Sequence, residues 1–318
     1  MALIPEISQT INGLVLFDAA RAERFGAAID KVKACIASSD YEKLDRILFS
    51  ISDTVQRRAL IAWYRDSDFS RFSELVYTYV MIDRMRLQWE QPYTENGEFK
   101  TLLYALLSFD DDVLYWHSQC ALPLFSRDNG TKALELPGSA EHLILQIRLA
   151  MANETGLIAE NVEAYFVGED KYSRKYYEDY LFLRALIRGD SKDISDAISL
   201  HLKPKMLRKR NISAGSPWHA NVSNLFSGWA VLYVRLANYY GYSVDVKSEW
   251  VPDAWVNVFN EDVNPEKKSV LDFVDGFDLF MPLMDNPKAW CPNASKFSPR
   301  PKGQPKLTLA ELKSGLSE

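Results

Sequence analysis

The chain has 318 residues, 47% of them hydrophobic, which is enough apolar material for a sizeable core in one large or two modest domains. A net charge of −6 and a pI near 5.4 exclude the broad positive footprint that general nucleic-acid or anionic-membrane binding requires, and suit a basic partner. Cys35, Cys120 and Cys291 form no C-x-x-C pair, and no run approaches the roughly twenty apolar residues of a membrane span; with no signal-peptide pattern in MALIPEISQT, a cytoplasmic protein with reduced thiols is expected.

Helical periodicity dominates from the start. Phe25, Ile29, Val32 and Ile36 lie one above another in a helix predicted over residues 12–38, and Ser39 with Glu42 has the capping-box spacing that opens the next. A helix from Asp68 to Gln91 puts Phe72, Leu75, Tyr79 and Ile82 on one face, with Pro92 just beyond it. Further helices are predicted near residues 98–108, 111–122, 139–154, 172–188, 191–203, 222–240, 253–260 and 266–280. In the 222–240 helix, Leu225, Trp229, Leu232, Leu236 and Tyr239 share a face, and Gly241 supplies a left-handed stop. Ser243 to Val251 then alternates as an extended chain does, and Pro252 begins a short helix containing Trp255.

Strand-like runs are scarce, so the fold class is all-α: a multi-helix bundle of stacked helical hairpins. Two related halves are suggested by ALLSFD at 105–110 against ALIRGD at 185–190, and by Ala152, Asn153 and Gly156 against Ala237, Asn238 and Gly241. Beyond Asp285 the composition turns proline-rich and basic, through Pro287, Lys288, Pro292, Lys296, Pro299, Arg300, Pro301, Lys302, Pro305 and Lys306. An extended tail over 286–306 with a short terminal helix is expected, leaving 1–285 as a single helical domain with sub-lobes 1–160 and 161–285.

Catalytic motifs are missing from the pattern. No G-x-G-x-x-G, Walker A run or G-x-S-x-G occurs, and His117, His142, His201 and His219 stand in no metal-binding spacing. Asp110, Asp111 and Asp112 sit where a helix should begin, so capping explains them; a metal-dependent hydrolase built from Asp110, Asp112, Glu141 and His142 is the weakest rival reading. The basic run Lys203, Lys205, Arg208, Lys209 and Arg210 reads as a solvated turn after a helix that Pro204 interrupts. More informative is the stretch from Gly241 to Asp285, where acidic residues far outnumber Lys247, Lys267 and Lys268 and are interleaved with aromatics. Asp245, Glu249, Trp250, Asp253, Trp255, Glu261 and Asp262 are the candidate partner-binding residues, since aromatic anchors ringed by carboxylates suit a basic protein. No cofactor, metal, nucleic acid or membrane is implied.

Leu232, Leu236, Ala237, Gly241, Val244, Val246 and Pro252 together form a pattern that resembles the C-terminal signature of the immunity protein 49 family, all-α bacterial proteins encoded beside polymorphic or type VI secreted toxins. Ala185, Leu186, Asp190 and Ile194 fit the same family's habit of a helix, a G-D turn and a helix, and the likeness covers about the last third of the chain. The immunity proteins of PoNe-type DNase toxins are a near alternative, sharing the G-x-W-like helix and the following proline. The resemblance implies a non-enzymatic protein that binds and neutralises one cognate toxin in the producer's cytoplasm, with homo-oligomerisation left open. A helical-repeat adaptor that holds an unrelated peptide or protein is the rival from another class.

Overall fold

The short-range apolar period of the sequence becomes helix almost throughout. The computed structural model describes residues 5–20, 22–38, 41–87, 95–110, 113–114, 117–118, 136–168, 174–212 and 224–256, and among these it is an all-α, multi-helix bundle with no strand. In chain order the helices are α1 (Pro5–Ala19), α2 (Ala22–Ser38), α3 (Tyr41–Tyr64), α4 (Phe69–Leu87), α5 (Glu95–Leu107), α6 (Ala140–Met151), α7 (Thr155–Val167), α8 (Tyr177–Arg188), α9 (Ser191–His201), α10 (Gly228–Tyr239) and α11 (Asp253–Val256). The predicted 266–280 helix, the 286–306 tail and the terminal helix lie outside the described residues.

Two compact units form. The first holds α1 to α4 and the turn after α5. Its spine is the α3–α4 hairpin. Leu44, Leu48, Ile51 and Val55 bury one face of α3, at helical spacings of four, three and four. Phe72, Leu75, Tyr79 and Ile82 bury the predicted face of α4. The hairpin turns on Ser67 at φ 53°, and Asp68 caps α4 by accepting from the Arg71 N–H at 2.9 Å. Trp63, Phe69, Phe72 and Phe109 pack edge to face or tilted around that turn, with centroids near 6 Å.

The predicted helix over 12–38 is two helices, broken between Ala19 and Ala22, and it begins earlier, with Pro5 in the first turn. Leu14 on α1 and Val32 on α2 are both buried and eighteen residues apart, a whole number of helical turns, so periodicity alone runs through the break.

The second unit is built around α10, whose residues from Gly228 to Ala237 are all buried. Arg235 on this helix is buried too, and donates from Nε to the Leu106 carbonyl at 3.1 Å, one of the last carbonyls of α5 that has no partner inside its own helix. Burial lowers the Arg235 pKa to about 10, which leaves it charged at neutral pH. Helices α6 and α7 join through Asn153, at φ 59°, and α7 packs on α8 within this unit, so the two described units do not divide at residue 160. Ile158, Val162 and Tyr165 are the buried face of α7, a helix the sequence reading passed over between its predicted elements at 139–154 and 172–188.

One of the two sequence echoes shares a local structure. In ALLSFD and in ALIRGD a helix ends in a left-handed residue, Phe109 at φ 53° or Gly189 at φ 73°, and the next residue is a capping aspartate. Asp110 accepts from the Val113 N–H at 2.9 Å; Asp190 accepts from the Lys192 and Asp193 N–H groups at 2.8 and 3.0 Å. The A-N-x-x-G echo does not correspond, because Asn153 takes the left-handed position after α6 while Gly241 takes it after α10.

Candidate partner-binding face

Gly241, at φ 77°, ends α10 as its sequence position predicts, and the chain turns back along the helix it has just left. The Tyr242 N–H donates to the Ala237 carbonyl at 3.0 Å, and its ring stacks on Tyr240. The Tyr242 hydroxyl stands 2.9 Å from where a Cβ on Gly189 would lie, so the α8–α9 turn and the end of α10 meet where only glycine leaves room. At the far end the Trp250 carbonyl accepts from the Ser227 N–H at 2.7 Å, beside the start of α10. Ser227 itself caps that helix, accepting from Ala230.

Between these anchors, residues 242–248 run without helix or turn, and their exposure alternates residue by residue, the period of an extended chain. Tyr242, Val244, Val246, Ser248 and Trp250 are half-buried; Ser243, Asp245, Lys247 and Glu249 are exposed. The Asp245 N–H donates to the Ser195 hydroxyl on α9 at 3.2 Å, which fixes the segment beside that helix. Asp193 and Asp196 are exposed on α9, and so is its capping Asp190. The exposed charges of the segment are Asp245, Glu249 and Asp253 against Lys247, and those of α9 and its cap are Asp190, Asp193 and Asp196 against Lys192. Lys192 is taken up by Asp196 at 2.5 Å, whereas Lys247 makes only a loose 3.8 Å approach to Asp245.

The structure divides the candidate residues. Asp245, Glu249 and Asp253 are exposed on this face, and Trp250 is half-buried at its end. Trp255 is not a surface anchor: it is fully buried, packed edge to face against Phe226 at 5.0 Å, and it pins α11 in place. Its large apolar ring gains more from the core than from solvent, which no residue-type argument distinguishes from an interface anchor. Glu261 and Asp262 lie outside the described residues. The contribution of α9 was not legible in the sequence, since Ser195 and Asp245 are fifty residues apart and meet only in the fold.

The same unit holds a buried polar cluster. Asp179 on α8 is fully buried and is ion-paired to Arg210, while the Tyr233 hydroxyl donates to its other oxygen. Arg210 stacks over Trp229 at 4.0 Å and over Tyr176 at 5.0 Å, and its carbonyl accepts from the Trp229 indole N–H at 3.3 Å. Burial opposes the Arg210 charge, but the adjacent Asp179 outweighs it and holds the guanidinium above its ordinary pKa. His201 lies 4.0 Å from Asp179; burial, then the Arg210 charge, push it well below the usual histidine range, so it is neutral. This corrects the solvated-turn reading of the basic run: Lys203, Lys205, Arg208 and Lys209 are exposed, but Arg210 turns inward from the π-helical stretch Leu207–Ile212.

A second cluster joins α6, α7 and α8. His142 Nδ1 is 2.6 Å from the Tyr180 hydroxyl, the Gly138 N–H donates to the same oxygen at 3.1 Å, and Tyr165 stacks on Tyr180 at 3.8 Å. Desolvation lowers the His142 pKa to about 4. The residues of the hydrolase reading have these separate duties: His142 serves this cluster, Asp110 caps its own turn, Glu141 lies in the first turn of α6, and Asp112 is outside the described residues. Among the described residues no three His, Cys, Asp or Glu side chains converge as metal ligands. The first unit carries a groove of about 320 Å³ bordered by Asp18, Arg58, Arg65, Asp66 and Arg71, but Arg58 is bonded to Asp18 and Arg65 to Asp66, so its charges answer one another.

Compared with protein-family models, with curated proteins and with solved structures, the chain matches none. No helix among the described residues is long and apolar enough to cross a membrane.

Proposed function

We propose that this chain is an immunity protein: it binds one cognate secreted antibacterial toxin in the producer's cytoplasm and neutralises it by occluding or distorting the toxin's active site. The observation that carries the reading is the acidic face of residues 243–253, held rigidly at both ends while Asp245, Glu249 and Asp253 remain free to meet a basic surface. Inhibition of this kind needs no chemistry from the inhibitor, only a complementary interface. A toxin that acts on nucleic acid or nucleotides is basic around its substrate, and carboxylates spaced along an extended chain can take the place of a phosphate backbone. The resemblance of Leu232, Leu236, Gly241, Val244, Val246 and Pro252 to the immunity protein 49 signature supports the same role in interbacterial competition, including beside type VI secretion systems.

Co-expression with the toxin encoded by the neighbouring gene tests it. Wild-type protein should restore growth, and the triple charge reversal Asp245→Lys, Glu249→Lys, Asp253→Lys should fold normally yet protect poorly and associate at least tenfold more slowly at low salt. Absence of protection by the wild type defeats the immunity reading. Full protection by the folded triple variant moves the interface off this face.

A further inference from the structure

The same segment offers something a charged surface alone does not: an open main-chain edge. In an extended chain the N–H and C=O of one residue point to one edge and those of the next to the other. The Asp245 N–H points to α9, where Ser195 accepts it, so Val244 and Val246 direct their main-chain groups to the opposite edge. Among the described residues no hydrogen bond reaches the N–H or C=O of either valine. Both residues are half-buried rather than enclosed. Residues 242–248 span about 23 Å at strand rise, the length of an ordinary strand.

We infer that the edge at Val244 and Val246 receives an extended, basic segment of a partner protein by strand addition, the partner's main chain pairing with the two valines while its lysines or arginines meet Asp245 and Glu249. This rests on the proposed function and specifies how the face recognises its partner. Main-chain pairing supplies affinity without regard to sequence, and the outward carboxylates supply the selection. The charge pattern decides among occupants. On the exposed side Asp245 and Glu249 flank a single Lys247, and the chain as a whole carries a net charge of −6, so net like charge opposes the approach of a second copy whereas a basic segment is attracted. The segment is also preorganised: Gly241 and Tyr242 hold one end, Ser227 and the buried Trp255 hold the other, so little chain entropy is lost on docking.

The probe is a synthetic seven-residue peptide alternating lysine and valine, titrated into the full chain with amide hydrogen exchange and calorimetry as readouts. The expected result is saturable binding, slowed exchange at the Val244 and Val246 amides, and at least a tenfold loss when alternate peptide nitrogens are N-methylated. A glutamate-for-lysine peptide should not bind. Val246→Pro removes one donor while keeping an extended backbone, and should weaken binding at least fivefold more than Val246→Ala does. If the proline variant unfolds, exchange at the two wild-type amides decides the matter unaided. Equal binding of the N-methylated peptide, unchanged exchange at both valines, no binding at millimolar peptide, or concentration-dependent dimerisation through this edge each overturn the inference. Protection against the toxin by the wild-type chain is measured separately, so strand addition can fail while the immunity reading stands.

Discussion

Replacing Asp179 by Asn removes one charge from the centre of the second unit while keeping the side chain's size and an acceptor for Tyr233. Asp179 is fully buried and Arg210 is 7% exposed, so the guanidinium left behind cannot recover its charge partner from solvent. Removing one member of a buried pair costs about 3–5 kcal/mol. The Trp229 and Tyr176 rings over which Arg210 lies offset part of this, as cation–π contacts of roughly 0.5–2 kcal/mol, so a loss near the lower end, about 3 kcal/mol, is expected. Against a typical total of about 5–15 kcal/mol that is a large fraction. Urea unfolding followed by circular dichroism and by tryptophan fluorescence measures it, the second signal including Trp229 within the cluster. The double variant Asp179→Leu with Arg210→Met removes both charges, and should be less destabilised than Asp179→Asn, because no buried charge is then left unpaired. A loss below about 1 kcal/mol for Asp179→Asn at unchanged urea slope, or a double variant worse than the single, would refute the reasoning.

Trp229→Ala removes a buried ring that packs edge to face on Phe99 at 4.5 Å and supports Arg210; about 3–5 kcal/mol should be lost in the same assay, and a loss under half a kcal/mol contradicts its burial. Gly241→Ala meets open space and should cost about 1–2 kcal/mol for its positive φ alone, whereas Gly189→Ala must also displace the Tyr242 hydroxyl and should cost more; equal losses would show that this close approach carries nothing. His142 sets a pH dependence: its pKa is about 4 in the fold against 6.5 ordinarily, so the unfolded chain binds the proton more readily in that window. Its contribution, roughly 3 kcal/mol, is present above pH 6.5 and lost as pH falls towards 4. His142→Gln should therefore flatten stability between pH 6.5 and 5 by about one proton's worth of slope, and an identical slope would remove His142 from the account.

The helical class and most of the helices were legible because periodicity and stop signals are local: the buried face of α4, the capping role of Asp110 and the left-handed Gly241 each depend on residues within a few turns. The single face predicted for the 222–240 helix was not what the fold made: Leu225 precedes α10, Tyr239 at its end is exposed, and the helix between is buried all round. The break between α1 and α2 was not legible, since the apolar positions on either side remain in phase, and α7 was passed over because its buried face is only three residues wide. The extended, alternating character of residues 243–248 also stood in the sequence. Its neighbour did not: Ser195 meets Asp245 only through the α8–α9 turn, where Gly189 admits Tyr242. Tertiary packing likewise decided which charged and aromatic residues face inward. Arg210 belongs to a basic run and Trp255 to an acidic aromatic one, yet both are buried, because Asp179 and Phe226, far away along the chain, provide the ion pair and the apolar contact. Residue type sets what burial costs, but only the fold supplies the partner that offsets it.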